Sequence, residues 1–204
     1  PLERYGMTET LITISTRFDG DRRPGWVGLP IRGVEARVRN DDGSIVVPDG
    51  STIGTLEIRG ATLGRGYLGL PEATAASMTS DGWFITGDST VVDQSGMYRI
   101  VGRTSVDIIK CGGFKVGAGE VEAAIMEVEG VVEAAVIGVP DDDLGESITA
   151  VVVVNAPIAA NTVIDHVAST LAAHKRPRRV VFVDELPRNA LGKVQKKSVA
   201  KLID

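Results

Sequence analysis

Glycine punctuation constrains the first half of this 204-residue chain more than any other feature. From about Arg22 to Gly102, short apolar stretches such as Val34-Glu35-Ala36-Arg37-Val38 and Thr55-Leu56-Glu57-Ile58-Arg59 alternate with Asp-Gly and glycine-rich turns. Short runs cut by such turns predict a small antiparallel β structure. One short helix is expected at Glu72 to Met78. From Gly117 onward the texture becomes mixed α/β. It predicts a helix around Gly119 to Val128, strands near Val131 to Gly138 and Ile148 to Asn155, a helix around Thr162 to Ala173 and a strand at Val180 to Val183. Val121, Ala124, Ile125 and Val128 recur at helical spacing, a core-facing stripe. The fold class is therefore mixed α/β (α+β), β-rich first and helix-bearing second.

Composition narrows the function classes. At 43% hydrophobic and 24% charged residues, the chain can bury a core in one or two small domains. Its formal net charge of −5 argues against bulk affinity for nucleic acid. The basic run Lys175-Arg176-Pro177-Arg178-Arg179 lacks interleaved aromatics and reads as a surface turn or a contact for ligand phosphates. Cys111 is the single cysteine, so no internal disulfide framework is available and a reducing compartment, the cytoplasm, is expected. No apolar run is long enough to span a bilayer, and Val151-Val152-Val153-Val154 reads as a buried strand. His166 and His174 have no second ligand set nearby and are assigned no metal.

Two glycine motifs invite nucleotide folds that the flanking residues exclude. Gly64-Arg65-Gly66-Tyr67-Leu68-Gly69 fits a dinucleotide fingerprint, with Asp88 at a suitable distance. Pro71 nevertheless delays any helix until after the last glycine, so no helix N-terminus faces the would-be pyrophosphate. Gly192-Lys193 is followed by Val194, and Pro187 stands where a Walker A motif needs its first glycine.

Motif order is more telling than any single motif. Tyr5-Gly6-Met7-Thr8-Glu9-Thr10 comes first, then Thr86-Gly87-Asp88 and Gly102-Arg103. Lys110-Cys111-Gly112-Gly113-Phe114-Lys115-Val116-Gly117-Ala118-Gly119-Glu120-Val121-Glu122 follows, and Leu186-Pro187-Arg188-Asn189-Ala190-Leu191-Gly192-Lys193 closes the series. In this order they resemble the successive core motifs of the adenylate-forming acyl-CoA synthetases, with wording closest to malonyl-CoA synthetases. The resemblance covers essentially the whole chain but begins well past the middle of such an enzyme, and the chain opens on Pro1. It is expected to be the C-terminal portion of a longer ligase, whose missing N-terminal part carries the phosphate loop and most of the acyl pocket. Residues 1–103 would then be the β-rich, barrel-like end of the large adenylation domain and 104–204 a C-terminal lid. The hinge is expected near 103–107, with Ser105 to Asp107 as candidate span because the usual hinge residue two positions after the arginine is absent.

The resemblance implies an ATP-dependent ligase that forms acyl-AMP and then an acyl-CoA thioester, with Mg²⁺, ATP, coenzyme A and a small carboxylic acid as ligands. Lys193 is the catalytic candidate, on a glycine-flexible loop. Carboxylate attack on the α-phosphate gathers negative charge, which an ammonium stabilises. Arg188, Lys196, Lys197 and Lys201 around it read as a solvated or helix-terminal face. For nucleotide binding the resemblance implies Tyr5 on adenine, Gly6 allowing close backbone approach, Thr8 on phosphate, Asp88 on ribose hydroxyls and Arg103 as a second contact. Taken alone, Thr86-Gly87-Asp88 reads as a turn and Arg103 as a surface ion pair. Glu9 is implied as the Mg²⁺ ligand and Met7 as the floor of the acyl pocket. Gly112 and Gly113 leave space for the pantetheine arm of coenzyme A, with Lys110 and Lys115 toward its phosphates. Cys111 has no neighbouring histidine and is not a nucleophile. Other readings are a medium- or long-chain fatty-acyl ligase, a ligase loading a carrier-protein thiol, and a nucleotide-binding regulatory module.

Overall fold

The computed structural model describes residues 2–203. The chain forms two compact units, one running through Thr104 and the other beginning at Ser105.

In the first unit, strands β1 (Arg4–Met7), β2 (Leu11–Ser15) and β3 (Leu29–Pro30) form a small antiparallel sheet. A second antiparallel sheet follows the chain order β4 (Val34–Arg39), β5 (Gly54–Gly60), β6 (Phe84–Val92) and β7 (Tyr98–Arg103). The short helix α1 (Pro71–Ala76) lies between β5 and β6, with Pro71 in the first turn, where its missing N–H is not needed. Ile14, Val38, Leu56 and Ile58 are fully buried and anchor the core of this unit.

Neither sheet closes into the expected barrel. Closure requires the edge strands to pair with each other, and here the edges are occupied by loops. Val27 N–H donates to the Tyr98 carbonyl (2.9 Å) and Tyr98 N–H to the Gly28 carbonyl (2.9 Å), covering the free side of β7. Val46 N–H donates to the Val38 carbonyl (2.9 Å), which does the same for β4. Ahead of β6, Trp83 is sandwiched between the guanidinium groups of Arg37 and Arg59, at 4.2 and 4.5 Å from its ring. This contact fixes the start of the strand that carries Asp88.

The second unit contains β8 (Ile108–Cys111), β9 (Phe114–Gly117), α2 (Ala118–Ile125), β10 (Val131–Asp141), β11 (Gly145–Val154), α3 (Ala160–Thr170), β12 (Arg179–Phe182) and α4 (Lys196–Val199). The long β10–β11 pair is antiparallel, and β12 joins β11 in parallel after the α3 crossover. Alternate residues of the pair face opposite cores. Val136, Ile148, Ala150 and Val152 pack with Val121, Ile125, Val163 and Val167 from α2 and α3. Ala135, Ile137 and Val151 pack on the other side with Leu186, Val199 and Ile203 from the tail. Val151 and Val152 are thus buried on both faces, as their apolar run predicts. α3 ends before Ala173: Leu171 turns to extended backbone, and the Ser169 and Thr170 hydroxyls both donate to the His166 carbonyl in the last turn.

Candidate functional site

The first motif forms a β-hairpin. Tyr5, Gly6 and Met7 lie on β1, Thr8 and Glu9 in the turn, and β2 returns beside them. Gly6 is required by the hairpin itself: a Cβ there would lie 2.1 Å from the Leu11 carbonyl oxygen across a β-bulge. The close backbone approach that Gly6 permits in this structure is to β2 across the hairpin. Arg4, Tyr5, Gly6, Met7, Leu11 and Ile12 line an open groove. The Met7 sulfur is 3.6 Å from the Tyr5 hydroxyl.

Tyr5 meets Asp88 across 83 residues of sequence: its hydroxyl donates to Asp88 Oδ2 at 2.5 Å. Arg103 Nε lies 3.1 Å from Asp88 Oδ1, and Arg103 Nη1 donates to the Thr86 carbonyl at 3.2 Å. Asp88 and Arg103 are direct partners in the β6–β7 register. Gly87 supplies the left-handed backbone (φ 72°) just before Asp88, and the Thr86 hydroxyl accepts the Asp88 N–H at 3.1 Å. Asp88 is only 7% exposed. Burial, followed by the Asp88 hydrogen bond and charge, pushes the Tyr5 phenol well above its ordinary pKa of 10.0, so it stays a donor. Three sequence-predicted residues from three motifs thus form one cluster. An ionised carboxylate has about four acceptor sites, so Asp88 keeps capacity for two ribose hydroxyls beside its two protein partners.

Thr8 is exposed at the hairpin turn. Glu9 Oε1 accepts the Tyr67 hydroxyl at 3.0 Å, and the Glu9 carbonyl accepts the Gly64 N–H at 2.8 Å. The Gly64–Gly69 segment therefore braces the Glu9 turn, and α1 begins only after Gly69, which is incompatible with a dinucleotide fold. Glu9 retains a second carboxylate oxygen. No cluster of three or more metal-ligating side chains occurs among the described residues. This set fits Mg²⁺, which takes one or two carboxylates and completes its shell with water and phosphate oxygens.

In the second unit, Gly112 and Gly113 form the exposed two-residue tip of the β8–β9 hairpin, with φ of 58° and 81°. Both glycines are demanded by that turn. A Cβ on Gly113 would meet nothing within 4 Å, so the space beside it is open. Lys110 and Lys115 are cross-strand partners and project from the same face. Phe114 stacks on His174, with ring centroids 4.2 Å apart, and Lys175 pairs with Glu120 at 2.6 Å, tying the basic run to the base of α2. Cys111 is buried in the core of this unit.

Lys193 is exposed at the end of a closed loop. Hydrogen bonds close the loop on itself around Gly192 (φ 77°). Asn189 Oδ1 accepts the Leu191 and Lys193 N–H groups at 3.0 and 2.9 Å, Gly192 N–H donates to the Asn189 carbonyl, and Gln195 N–H closes the base on the Pro187 carbonyl. The Lys193 ammonium has no ion-pair partner among the described residues.

Arg188 is exposed and Lys196 opens α4, in keeping with a solvated or helix-terminal face, and both are ion-paired. Arg188 pairs with Glu133 on β10, and Lys196, 17% exposed at its side chain, bridges Asp107 (2.7 Å) and Glu122 (2.8 Å). The basic residues of the tail carried no local signal for these distant partners. No helix among the described residues is long and apolar enough to cross a membrane.

The family description "AMP-binding enzyme" matches residues 2–68, and "AMP-binding enzyme C-terminal domain" matches 120–193. The chain belongs to these adenylate-forming AMP-binding enzymes. A probable CoA ligase of Humulus lupulus is 42% identical over 98% of this chain and 35% of its own length. A mitochondrial malonate–CoA ligase of Bos taurus is 40% identical over 98% of this chain and 37% of its own length. Among solved structures, ATP-bound MatB from Rhodopseudomonas palustris superposes with a TM-score of 0.84 at 45% identity, covering 98% of this chain and 40% of that one. The chain thus spans little more than a third of the curated relatives it matches.

Proposed function

We propose that this chain is the C-terminal portion of an ATP-dependent, AMP-forming carboxylic acid:CoA ligase acting on malonate or another short acid. The Tyr5, Asp88 and Arg103 cluster carries the reading, because it joins three separate motifs around one buried carboxylate. Tyr5 offers its ring face to adenine while its hydroxyl holds Asp88, Asp88 receives the ribose hydroxyls, and Arg103 makes the second nucleotide contact. Gly6 keeps the strand close to the nucleotide, Thr8 donates to the α-phosphate, Met7 bounds the acyl group and Glu9 would hold Mg²⁺. When bound, that ion neutralises triphosphate charge.

In the first half-reaction the acid's carboxylate oxygen attacks the α-phosphorus, the bond to pyrophosphate breaks, and acyl-AMP forms. Lys193 stabilises the charge gathering at phosphorus. In the second, the coenzyme A sulfur attacks the acyl carbonyl, loses its proton, and AMP departs. Gly112 and Gly113 give the pantetheine arm room, with Lys110 and Lys115 toward the phosphates. The two domains divide at 103–104 with a hinge within 103–107, and the enzyme works in the cytoplasm.

Acid-dependent pyrophosphate exchange by the complete enzyme, compared for malonate, methylmalonate, butyrate and palmitate, tests the substrate class. A pocket that pairs a second carboxylate rejects apolar tails. Malonate is expected to lead in kcat/KM, and a preference for palmitate would overturn the choice. The 204-residue chain alone is expected to exchange no pyrophosphate above background.

A further inference from the structure

Arg188 sits where the loop bearing Lys193 meets the sheet. Its Nη1 donates to the Gly192 carbonyl at 2.7 Å, inside the loop, while its Nη2 pairs with Glu133 on β10. Glu133 lies on a strand register-locked to Val153 of β11. At the loop base, Leu186 is 4% exposed in the core, and Val194 packs against the same core as the bridge partner of Arg188. One guanidinium thus fastens the carbonyl immediately before Lys193 to a rigid strand. Arginine suits this task because its planar fork presents two donors in fixed directions, which a lysine ammonium cannot reproduce. The Lys193 backbone N–H is held separately by Asn189, so the only remaining freedom is in the lysine side chain.

We propose that the Arg188–Glu133 pair is a positioning device for Lys193, setting where the ammonium can reach during adenylation. This inference rests on the reading of Lys193 as the adenylation lysine. A catalytic group displaced by about 1 Å loses on the order of 10²-fold in rate, so releasing the loop should act on the chemical step and leave ATP affinity alone.

The experiment uses the full-length enzyme and measures both half-reactions for R188A, R188K, E133A, E133Q and the R188A/E133A double variant, beside K193A. R188A and E133A should each lower kcat for pyrophosphate exchange by about 10- to 100-fold, with the KM for ATP and the rate of thioester formation from supplied acyl-AMP unchanged. The double variant should be no worse than either single one, and R188K and E133Q should be intermediate. Full activity of E133A beside a crippled R188A would mean that Arg188 acts as a cation on substrate, overturning the positioning role. Multiplicative losses, or equal slowing of both half-reactions, would overturn it as well. If K193A adenylates normally, the catalytic assignment itself falls. If only K193A is impaired, that assignment stands and the Arg188 proposal fails.

Discussion

The Tyr5–Asp88–Arg103 cluster and the Lys193 loop solve opposite problems. In the cluster the side chains hold one another: a buried carboxylate is hydrogen-bonded by a phenol and paired with a guanidinium. In the loop the backbone is held and the Lys193 side chain is left exposed. A group that recognises a ligand gains from fixed geometry before the ligand arrives. A charge that stabilises a transition state must remain available when negative charge develops, and pairing it beforehand would weaken that role. Substitutions in the cluster should therefore couple folding stability to nucleotide binding, whereas Lys193 should affect catalysis alone.

The largest expected effect comes from Lys193→Ala in the full-length enzyme. Pyrophosphate exchange should fall by roughly 10²-fold or more, with the melting temperature and thioester formation from supplied acyl-AMP unchanged. A lowered melting temperature would break the contrast with the cluster.

Asp88→Ala should raise the KM for ATP by about tenfold or more and also lower the melting temperature, because it removes the carboxylate that accepts the Tyr5 hydroxyl and pairs with Arg103. Calorimetry beside steady-state kinetics checks whether the two losses appear together.

Gly113→Val, at an open position with φ of 81°, should slow thioester formation several-fold while sparing adenylation. Single-turnover assays separate the steps, and a purely adenylation-linked defect would remove the hairpin tip from the coenzyme A path.

The smallest effect is a pH dependence. Because folding raises the Tyr5 pKa above 10.0, the stability contributed by that shift is fully present below pH 10.0 and is lost as pH climbs from there toward the folded value. Tyr5→Phe should flatten the fall of melting temperature above pH 10.0 without adding any pH dependence between 6 and 9. A steep change near neutrality would place the hydrogen bond under the control of another group.

Periodicity and turn residues made most regular elements legible. The expected helices at 72–78 and 119–128 formed as α1 and α2, and the strands near 131–138 and 148–155 formed as the longer β10 and β11. Local pattern did not reveal the edge-capping loops at Val27 and Val46 that prevent barrel closure, because these are contacts between distant segments. The same limit hid Lys196, whose partners Asp107 and Glu122 lie far back in the chain, and Arg188, whose partner is on β10. Motif order grouped Tyr5, Asp88 and Arg103 under one expected function. Their mutual hydrogen bonds became visible only once β1 and β6 were folded.

At Gly112 and Gly113 the backbone turns with the handedness natural to D-amino acids. Glycine is accepted there because it is achiral, so selection at these two positions acts on stereochemistry as well as on volume. A chain assembled by ligation with D-alanine at 113 would keep the turn and lose conformational entropy from its unfolded state. L-alanine at the same place would put its methyl group into open space and still strain the hairpin. Comparing the two mirror-image substitutions would separate the cost of chirality from the cost of bulk at the tip of β8 and β9, which no exchange among the natural side chains can do.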